Sequence, residues 1–423
     1  MYYSDKNGWR IVRFLLTFTF LKNATMKVTA NNQNGQATLT LEGRMDTSAT
    51  AQATADIDAQ LAACGKIDCL TCDAAGLEYI SSSGLRILLG LAKRFPNFRV
   101  TEVCPDVYQV LEMTGFTKIM NVEKAMRRFS VDGCQVIGRG GVGVVYRIDD
   151  DTIIKVFREG TTIDEVQTEI TMAKESFVLG MPTAISFDIV RVGSQYGLVY
   201  ELLKADTLTA CLRREPQRVD EFARLYASLF RHLHDIRVPK GGNIPSSIER
   251  EEEAVRIISR YFDAPSIDLL MRIVQAIPQG DRLLHCDLQT KNAMLQNGEL
   301  MLIDMGEVGY GHPIIDLGHS HSAMMALVGD YEQIIGLPQQ LANDVWMRMI
   351  QYYFEGQSAD FIKHRTEQIA VVSCVRNFTW LSLSNSFPDE VIRNCQELFA
   401  ERVTKRKDYI LSVCDTFKDW TLD

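Results

Sequence analysis

In the N-terminal part of the chain, the spacing of hydrophobic positions alternates between the periods of strands and of helices. Apolar and polar residues alternate over Met26–Ala30 and Ala37–Leu41, and Asn31–Gly35 lies between them, so a β-hairpin is predicted. The elements predicted after it are a helix through Ala51, Ile57 and Leu61, a strand at Ile67–Cys72, a helix at Gly84–Ala92, a strand at Phe98–Val103 and a helix at Pro105–Met113. This order predicts an α/β domain in which helices cover one face of a small sheet.

Three neighbouring serines lie between a strand and a helix of this domain. Ser81, Ser82 and Ser83 directly precede Gly84. The backbone N–H groups and the helix dipole at such a position favour an anion, so a phosphoryl group on one serine would be accommodated there. The alternative is a simple helix-capping cluster, because serine is a preferred N-cap residue.

The C-terminal part begins with a strand, a glycine-rich turn and a second strand. Gln135–Ile137 leads into the turn, and Val144–Arg147 follows it. Because no helix follows the glycines, a dinucleotide-binding unit is disfavoured. The arrangement instead predicts a flap whose backbone N–H groups lie over phosphates, and its glycines are Gly138, Gly140 and Gly143.

A lysine interrupts the next apolar strand. Lys155 lies within Thr152–Phe157, and a lysine that is buried on a strand needs a counter-charge. The helix predicted over Ile163–Leu179 offers Glu165 and Glu169, and the apolar neighbours of Glu169 indicate the inward face. We therefore expect Lys155 to pair with Glu169.

A further apolar strand, Tyr196–Leu203, carries Glu201 near its end and runs into the polar turn Lys204–Asp206. This pattern is typical of a hinge whose backbone hydrogen-bonds an adenine edge, with an ordinary sheet strand as the alternative. Helices are predicted after it, at Val219–His234 and Ile248–Phe262.

The most specific chemistry lies in a charged loop between apolar strands. The loop is His285–Asn292, and a strand further along the chain ends at Asp304. Phosphoryl transfer uses one carboxylate to orient the attacking hydroxyl, and an amide and a second carboxylate to hold magnesium. Asp287, Asn292 and Asp304 supply this set in the required order. Together with the glycine turn and Lys155, they predict a phosphoryl-transfer site.

Composition and charge narrow the class of protein. The chain has 423 residues, 46% hydrophobic and 23% charged, which excludes collagen-like, disordered and coiled-coil proteins. Its 45 basic and 54 acidic residues give a net charge of -9, which disfavours a nucleic-acid partner because neutralising phosphates requires an excess of Lys and Arg. The 10 cysteines show no disulfide framework, and we expect a reducing cytoplasm as the compartment.

Three weaker patterns receive a structural interpretation. Cys69 and Cys72 have redox-motif spacing, but they lie in a strand-like run without a second pair. His319 and His321 could form a metal pair, but we expect them on a polar helix face. The run Glu249–Glu253 is interpreted as a solvated helix face.

The first residues carry a short apolar stretch. Ile11–Leu21 is far shorter than the roughly 20 residues that span a bilayer, and no small-residue cleavage site follows it. No membrane span is therefore predicted. We interpret residues 1–25 as an N-terminal extension or a mis-called start, with a membrane-tethering segment as the alternative.

The motifs of residues 135–423 resemble the protein-kinase-like superfamily, and specifically its aminoglycoside phosphotransferase and choline-kinase-like branch. His285-Cys286-Asp287 is similar to the His-Gly-Asp loop of that branch, and Cys286 departs at the middle position. A protein kinase would usually carry Arg there and Asp-Phe-Gly later, where this chain has Asp304-Met305-Gly306. The resemblance implies an α+β bilobal fold, ATP with Mg2+, and transfer to an alcohol group.

Carried over position by position, this resemblance implies a role for each candidate residue. Asp287 would be the catalytic base, and Asn292 and Asp304 would hold magnesium. His285 would brace the loop, and Asp316 would be structural. The residues assigned to nucleotide binding are Gly138, Gly140, Gly143, Lys155, Glu169 and Glu201.

The segment Asp73–Arg86 resembles the signature of STAS domains, the anti-sigma-factor-antagonist family. In that signature an aspartate-containing strand leads into a serine loop, and Gly-Leu opens a helix. In phosphorylatable members the acceptor serine lies two residues before the glycine, which is Ser82 here; the residue before it is usually aspartate and is Ser81 in this chain. The resemblance implies a phosphoswitch at Ser82 and a partner of the anti-sigma-factor type.

Two domains are therefore expected. A STAS domain is placed at 26–129 and a kinase-like phosphotransferase domain at 130–423, with an N-lobe at about 130–203 and a C-lobe at about 204–423. The expected function is ATP- and magnesium-dependent phosphorylation of an alcohol group on a small molecule, such as an amino sugar, regulated through the STAS domain. The alternatives are a protein serine kinase that acts on Ser82, and a non-catalytic nucleotide-sensing anti-sigma factor antagonist with Ser82 as its switch.

Overall fold

The computed structural model describes residues 26–327, 329–383 and 387–422, which form two compact units. The first unit ends at Arg127 and the second begins at Arg128. The interpretation of residues 1–25, including the apolar stretch Ile11–Leu21, falls outside the described residues. Within the ranges that are described, no helix is both long enough and apolar enough to cross a membrane.

The first unit contains a five-stranded sheet in the order β1-β2-β3-β4-β5. Its strands are β1 Lys27–Gln33, β2 Gln36–Met45, β3 Cys69–Ile80, β4 Phe98–Val103 and β5 Asn121–Lys124, and its helices are α1 Thr50–Ala63, α2 Ser82–Arg94 and α3 Pro105–Met113. β1 and β2 are antiparallel, and β2 to β5 are parallel. Each connection between two parallel strands contains one helix and leads to the next strand in the same direction across the sheet. Because such connections are right-handed, the three helices lie on one face of the sheet. The predicted fold class is confirmed, and β5 is an additional strand.

The β1–β2 hairpin turns more tightly than the sequence predicts. Asn34 and Gly35 both have a positive φ, 54° and 84°. A two-residue hairpin turn requires this left-handed backbone at both positions, and Asn-Gly is its preferred sequence. The turn is therefore shorter than the predicted Asn31–Gly35, because the strands continue into the polar residues on either side of it.

Helix α2 lies close to β2 and β3 at Gly84. A Cβ at this position would lie 2.8 Å from both Ile80 Cγ1 and Met45 Sδ, and Met45 has no exposed surface. Gly90, on the same helix, has nothing within 4 Å of its Cβ position. The two glycines therefore differ in packing although they share one helix.

We predict opposite effects of alanine at these two glycines. Gly84→Ala forces a methyl group into filled space and should cost about 1–3 kcal/mol of stability. Gly90→Ala restricts the unfolded backbone without a clash and should stabilise by about 0.5–1 kcal/mol. Hydrogen exchange of the full-length protein in urea, read in peptides of β2, β3 and α2, measures both effects. Stabilisation by both substitutions would contradict the close packing at Gly84.

The second unit begins with an antiparallel sheet. The strands β7 Gln135–Arg139, β8 Gly143–Arg147, β9 Thr152–Phe157, β11 Gln195–Glu201 and β10 Ser186–Val192 are neighbours in this order, and the two-residue strand β6 Arg127–Arg128 lies at the junction. Helix α4, Ile163–Val178, follows β9 and contacts β10 and β11. The sheet therefore places one charged helix beside the strand that carries Lys155.

The remainder of the second unit is mainly helical. Its helices are α5 Leu208–Arg214, α6 Val219–Asp235, α7 Ser247–Ile258, α8 Ala264–Ala276, α9 Ile314–Met325, α10 Tyr331–Ile334, α11 Gln339–Tyr353, α12 Ala359–Thr379, α13 Asp389–Arg402 and α14 Lys407–Cys414. Its short strands are β12 Asp206–Thr207, β13 Arg282–Leu284, β14 Ala293–Gln296, β15 Glu299–Leu302 and β16 Gly309–Gly311. β12, β14 and β15 form one small sheet, and β13 pairs with β16. The α+β class predicted for this part is confirmed.

Candidate active site

Lys155 on β9 connects two carboxylates from different parts of the second unit. Its Nζ lies 2.8 Å from Glu169 Oε1 and 2.9 Å from Asp304 Oδ1. The ion pair predicted between Lys155 and Glu169 is therefore present. Glu165, the other carboxylate considered, forms a capping box with Thr162 at the start of α4, which leaves Glu169 one turn further along the helix as the inward group.

Charges at this ion pair reinforce one another. Burial alone would lower the pKa of Lys155, but Glu169 and Asp304 outweigh it and raise the pKa above its ordinary value. Desolvation opposes ionisation of Asp304 as well, yet Lys155 holds the pKa of that carboxyl below its usual range. Tyr200 donates its hydroxyl to Glu169 at 2.9 Å, and burial followed by the charge of Glu169 raises the pKa of Tyr200. Lys155 is thus held as a cation.

The charged loop brings Asp287 and Asn292 together. Asn292 Nδ2 donates to Asp287 Oδ2 at 2.9 Å, and Gln289 Nε2 donates to Asp287 Oδ1 at 2.6 Å. The backbone N–H of Ile303 donates to the carbonyl of Asn292 at 3.0 Å, which brings Asn292 beside the strand end that carries Asp304. Burial is the main cause that raises the pKa of Asp287.

The side-chain oxygens of Asn292 and Asp304 suit the coordination of a hard cation. The amide nitrogen of Asn292 is engaged by Asp287, so its Oδ1 is the atom that remains for a ligand. The carboxylate of Asp304 is 44% exposed. An amide oxygen and a carboxylate are the kinds of protein ligand that Mg2+ takes alongside phosphate oxygens and water. The residues present therefore fit the predicted magnesium site, whose occupancy stays a prediction.

Two side chains brace the loop from behind. His285 Nδ1 accepts from the N–H of Asp287 at 3.3 Å, and its Nε2 donates to the carbonyl of Ile303 at 3.1 Å. Asp316 accepts from the N–H groups of His285 and Cys286 at 3.1 and 2.9 Å and is fully buried. These contacts agree with the bracing and structural roles expected for His285 and Asp316.

The three glycines of the predicted flap occupy different environments. A Cβ on Gly143 would collide with the carbonyl oxygen of Val156, because β8 lies directly against β9 there. Gly138 has only ordinary contact with Val145, at 3.6 Å, and Gly140 has open space around its Cβ position. Gly143 is therefore required by strand pairing itself. Phosphate binding by any of the three stays a prediction.

Glu201 contacts the backbone of a neighbouring strand. Its Oε2 accepts from the N–H of Ile185 at 3.2 Å, and its own N–H donates to the carbonyl of Ile185 at 2.9 Å. The side chain thus secures the residue just before β10. A role for Glu201 in holding the nucleotide stays a prediction.

Sequence reasoning missed two charged residues beside Asp287. Arg376 Nη2 on α12 lies 2.9 Å from Glu307 Oε2 and 3.9 Å from Asp287 Oδ1. Arg376 is the one charged residue in the otherwise largely apolar stretch Ala370–Phe378. A cation in such a stretch needs a buried counter-charge, so the isolated arginine could have identified Arg376 as part of a charged site.

Two structural expectations for the polar helices are wrong. His319 and His321 are buried, with 6% and 9% of their surface exposed, because α9 contacts both α11 and α12. His319 Nε2 lies 2.8 Å from Glu251 Oε1, so Glu251 points inward and not to solvent, and Arg250 donates to the carbonyls of Glu307 and Val308. His321 Nδ1 lies 2.9 Å from Ser373 Oγ. Among the residues described, no cluster of three or more His, Cys, Asp or Glu side chains is arranged to hold a metal ion.

Family comparisons identify both parts of the chain. The phosphotransferase enzyme family matches residues 134–342, and the STAS domain family matches residues 27–128. The chain combines a STAS domain with a kinase domain of the phosphotransferase enzyme family, as its motifs predict. A comparison with curated proteins found no match.

The solved structures that this chain resembles include an aminoglycoside phosphotransferase, a choline/ethanolamine kinase family protein and an ethanolamine kinase. ADP-bound aminoglycoside phosphotransferase APH(2'')-Ib has 12% identity and a TM-score of 0.43, over 70% of this chain and 96% of that one. A choline/ethanolamine kinase family protein from Mesorhizobium loti has 15% identity and a TM-score of 0.44, over 66% and 92%. The ethanolamine kinase of Plasmodium vivax has 13% identity and a TM-score of 0.45, over 78% and 92%.

The contacts of Lys155 predict that removing its charge destabilises the protein more than removing the charge of Glu169 does. Lys155→Met leaves Glu169 buried beside Asp304 without a cation and should cost about 3 kcal/mol of stability. Glu169→Gln keeps an oxygen acceptor for Lys155 and for Tyr200, and should cost about 1 kcal/mol. Denaturant-dependent hydrogen exchange in α4 of the full-length protein measures both. Lys174→Met, at an exposed position of α4, is the matched control, and a loss there as large as in Lys155→Met would refute the assignment.

Proposed function

We propose that the second unit transfers the γ-phosphoryl group of ATP, with Mg2+, to an alcohol group of a small molecule. The observation that carries this proposal is the convergence of four predicted groups. Asp287 and Asn292 share a hydrogen bond of 2.9 Å, and Asn292 is bound through its backbone to Ile303, next to Asp304. Lys155 reaches Asp304 at 2.9 Å from the opposite side.

Binding of the phosphates would fall to Lys155 and to the glycine turn. Lys155 presents an ammonium group that is already held beside Asp304, and such a cation offsets charge on phosphate oxygens. Gly140 and Gly141 have open space at their Cβ positions, and the N–H of Gly140 donates to the carbonyl of Gly143 at 3.0 Å, so the N–H of Gly141 is the group that would approach a ligand there. Bound by Asn292 and Asp304, Mg2+ would supply charge neutralisation at the phosphates.

Asp287 would orient the attacking hydroxyl. In the transfer, the bond between the acceptor oxygen and the γ-phosphorus forms, the bond from that phosphorus to the β–γ bridging oxygen breaks, and the acceptor proton passes to Asp287. Gln289 and Asn292 each donate to one oxygen of this carboxylate, at 2.6 and 2.9 Å, and so fix its direction. Burial raises the pKa of Asp287, which makes the carboxylate a better proton acceptor.

The acceptor class is inferred from the family match and the motifs. A small-molecule alcohol or amino sugar agrees with a phosphotransferase enzyme domain whose His285-Cys286-Asp287 loop resembles that of the aminoglycoside and choline kinase branch. The same proposal includes regulation through the STAS domain, a cytoplasmic setting and a partner of the anti-sigma-factor type.

The proposed roles predict separable effects on binding and turnover. Asp287→Asn should lower the rate of ADP release about 10³-fold, because it removes the proton acceptor. Its affinity for ATP should stay within about threefold of the wild-type value. Asp304→Asn should weaken magnesium-dependent ATP binding as well. Turnover is measured with ATP, Mg2+ and a panel of small alcohols and aminoglycosides, and affinity is measured with a fluorescent ATP analogue.

The control for these variants is Glu299→Gln, which neutralises an exposed carboxylate at the start of β15. It should behave like the wild type in both measurements. The proposal is refuted if Asp287→Asn turns over ATP at the wild-type rate, or if the wild type neither binds nor turns over the nucleotide.

A second candidate function is supported by the exposure of Ser82. Ser81 accepts from the N–H of Gly84 and caps α2, and its hydroxyl lies 2.8 Å from that of Ser83. Ser83 also bonds Thr50, at 3.0 Å. Ser82 is exposed at the first residue of α2, where the helix dipole favours an anion. This arrangement supports Ser82 as the acceptor of a phosphoswitch in which the kinase domain modifies the STAS domain.

This second candidate predicts phosphate on the protein itself. After incubation of the full-length chain with ATP and Mg2+, intact mass should show one phosphate on the wild type and on Ser83→Ala. Ser82→Ala and Asp287→Asn should both lack it, because they remove the acceptor and the base. Equal modification of Ser82→Ala would exclude this serine, and an unmodified wild type that hydrolyses ATP would favour a separate small acceptor.

A further inference from the structure

The residue before Asp287 has a backbone conformation that its side chain disfavours. Cys286 has a φ of 61°, in the left-handed region. Glycine adopts this region freely, whereas a residue with a Cβ adopts it at a cost, so the surroundings must enforce it. The related loop has glycine at this position, and this chain has a cysteine whose side chain is buried against Ser247, with the Sγ and Oγ atoms 3.2 Å apart.

Helix α9 binds both backbone groups of Cys286. Its N–H donates to Asp316 Oδ1 at 2.9 Å, and its carbonyl accepts from His319 Nδ1 at 2.6 Å. Asp316 and His319 are three residues apart in the helix and therefore share one face. The direction of Asp287, the next residue, depends on this turn.

Glu251 on α7 orients the histidine. Its Oε1 lies 2.8 Å from His319 Nε2, and the two side chains are 8% and 5% exposed. A carbonyl oxygen can only accept, so His319 Nδ1 carries a proton. Burial would raise the pKa of the Glu251 carboxyl, but the neighbouring His319 holds it below its usual range. Both nitrogens of His319 are thus engaged in fixed directions.

We infer that His319, oriented by Glu251, is a positioning residue for phosphoryl transfer, because it holds the left-handed turn at Cys286 that aims Asp287. The inference rests on the proposed function of Asp287. It follows that His319 acts on the transfer step and not on nucleotide binding, since its contacts are to the loop carbonyl and to Glu251.

Two substitutions of His319 separate its two hydrogen bonds. The amide nitrogen of Asn takes the place of Nδ1, and that of Gln takes the place of Nε2. His319→Gln should therefore lose the bond to Cys286 and lower kcat for ADP release about tenfold or more, with the KM for ATP within about twofold. His319→Asn should retain more of kcat than His319→Gln. His321→Gln, equally buried on α9 and bonded to Ser373, is the matched control and should leave kcat unchanged.

The decisive test is carried out in the Cys286→Gly background. Because glycine needs no support in the left-handed region, the kcat loss from His319→Gln should fall below about threefold relative to Cys286→Gly alone. Glu251→Gln should also lower kcat, by less than His319→Gln does, and Cys286→Gly should suppress this loss in the same way. Glu251→Gln takes the place of His319→Gln in the test if His319→Gln does not fold. A loss from His319→Gln that is as large with glycine as with cysteine would overturn the inference.

Hydrogen exchange gives a readout that does not depend on turnover. In the full-length protein, exchange in the peptide of His285–Gln289 should be faster in His319→Gln than in the wild type and should be near the wild-type rate in His321→Gln. Unchanged exchange in His319→Gln would refute the inference on its own. Asp287→Asn is measured alongside: wild-type turnover in that variant refutes the proposed function, whereas an inactive Asp287→Asn beside a fully active His319→Gln refutes only the positioning role.

Discussion

The candidate site depends on one buried carboxylate, that of Asp316. It has no exposed surface, and it accepts the N–H groups of His285 and Cys286. A buried charge is costly unless hydrogen bonds compensate it. Burial would raise the pKa of Asp316, but its bonds and the nearby His234 hold it below the usual range, so the group stays charged. The direction of Asp287 follows from this anchor.

The charged groups of the site are organised around two cations that approach from opposite sides. Lys155 pairs with Glu169 and Asp304 on the side of the sheet, and Arg376 pairs with Glu307 and lies near Asp287 on the side of the helices. Each cation offsets carboxylates that would otherwise repel one another in a region of low dielectric. Under the proposed function, Lys155 would serve the phosphates and Arg376 would lie beside the proposed base, Asp287.

Local patterns in the sequence predict the features whose residues lie close together along the chain. The order of elements in the STAS domain, the pairing of Lys155 with Glu169, and the neighbourhood of Asp287 and Asn292 all follow from periodicity or short spacing. The contacts of Arg376 and His319 do not, because their partners lie far away in the sequence: Asp287 and Glu307 for Arg376, and Glu251 and Cys286 for His319. His319 is followed by Ser320, His321 and Ser322, a run typical of a surface face, and the packing of α11 and α12 on α9 places it in the interior.

The two ion-pair partners of Lys155 lie at very different distances from it along the sequence. Glu169 is 14 residues away and Asp304 is 149 residues away. Closing a longer loop costs more conformational entropy, and contacts between distant residues form late in folding. We therefore expect the ammonium group to meet Glu169 first, while the sheet and α4 assemble, and Asp304 only after the helical part has formed. The contact between Lys155, proposed to bind phosphates, and Asp304, proposed to bind magnesium, would then be among the last to form, and under the proposed function a partly folded chain would not bind ATP productively.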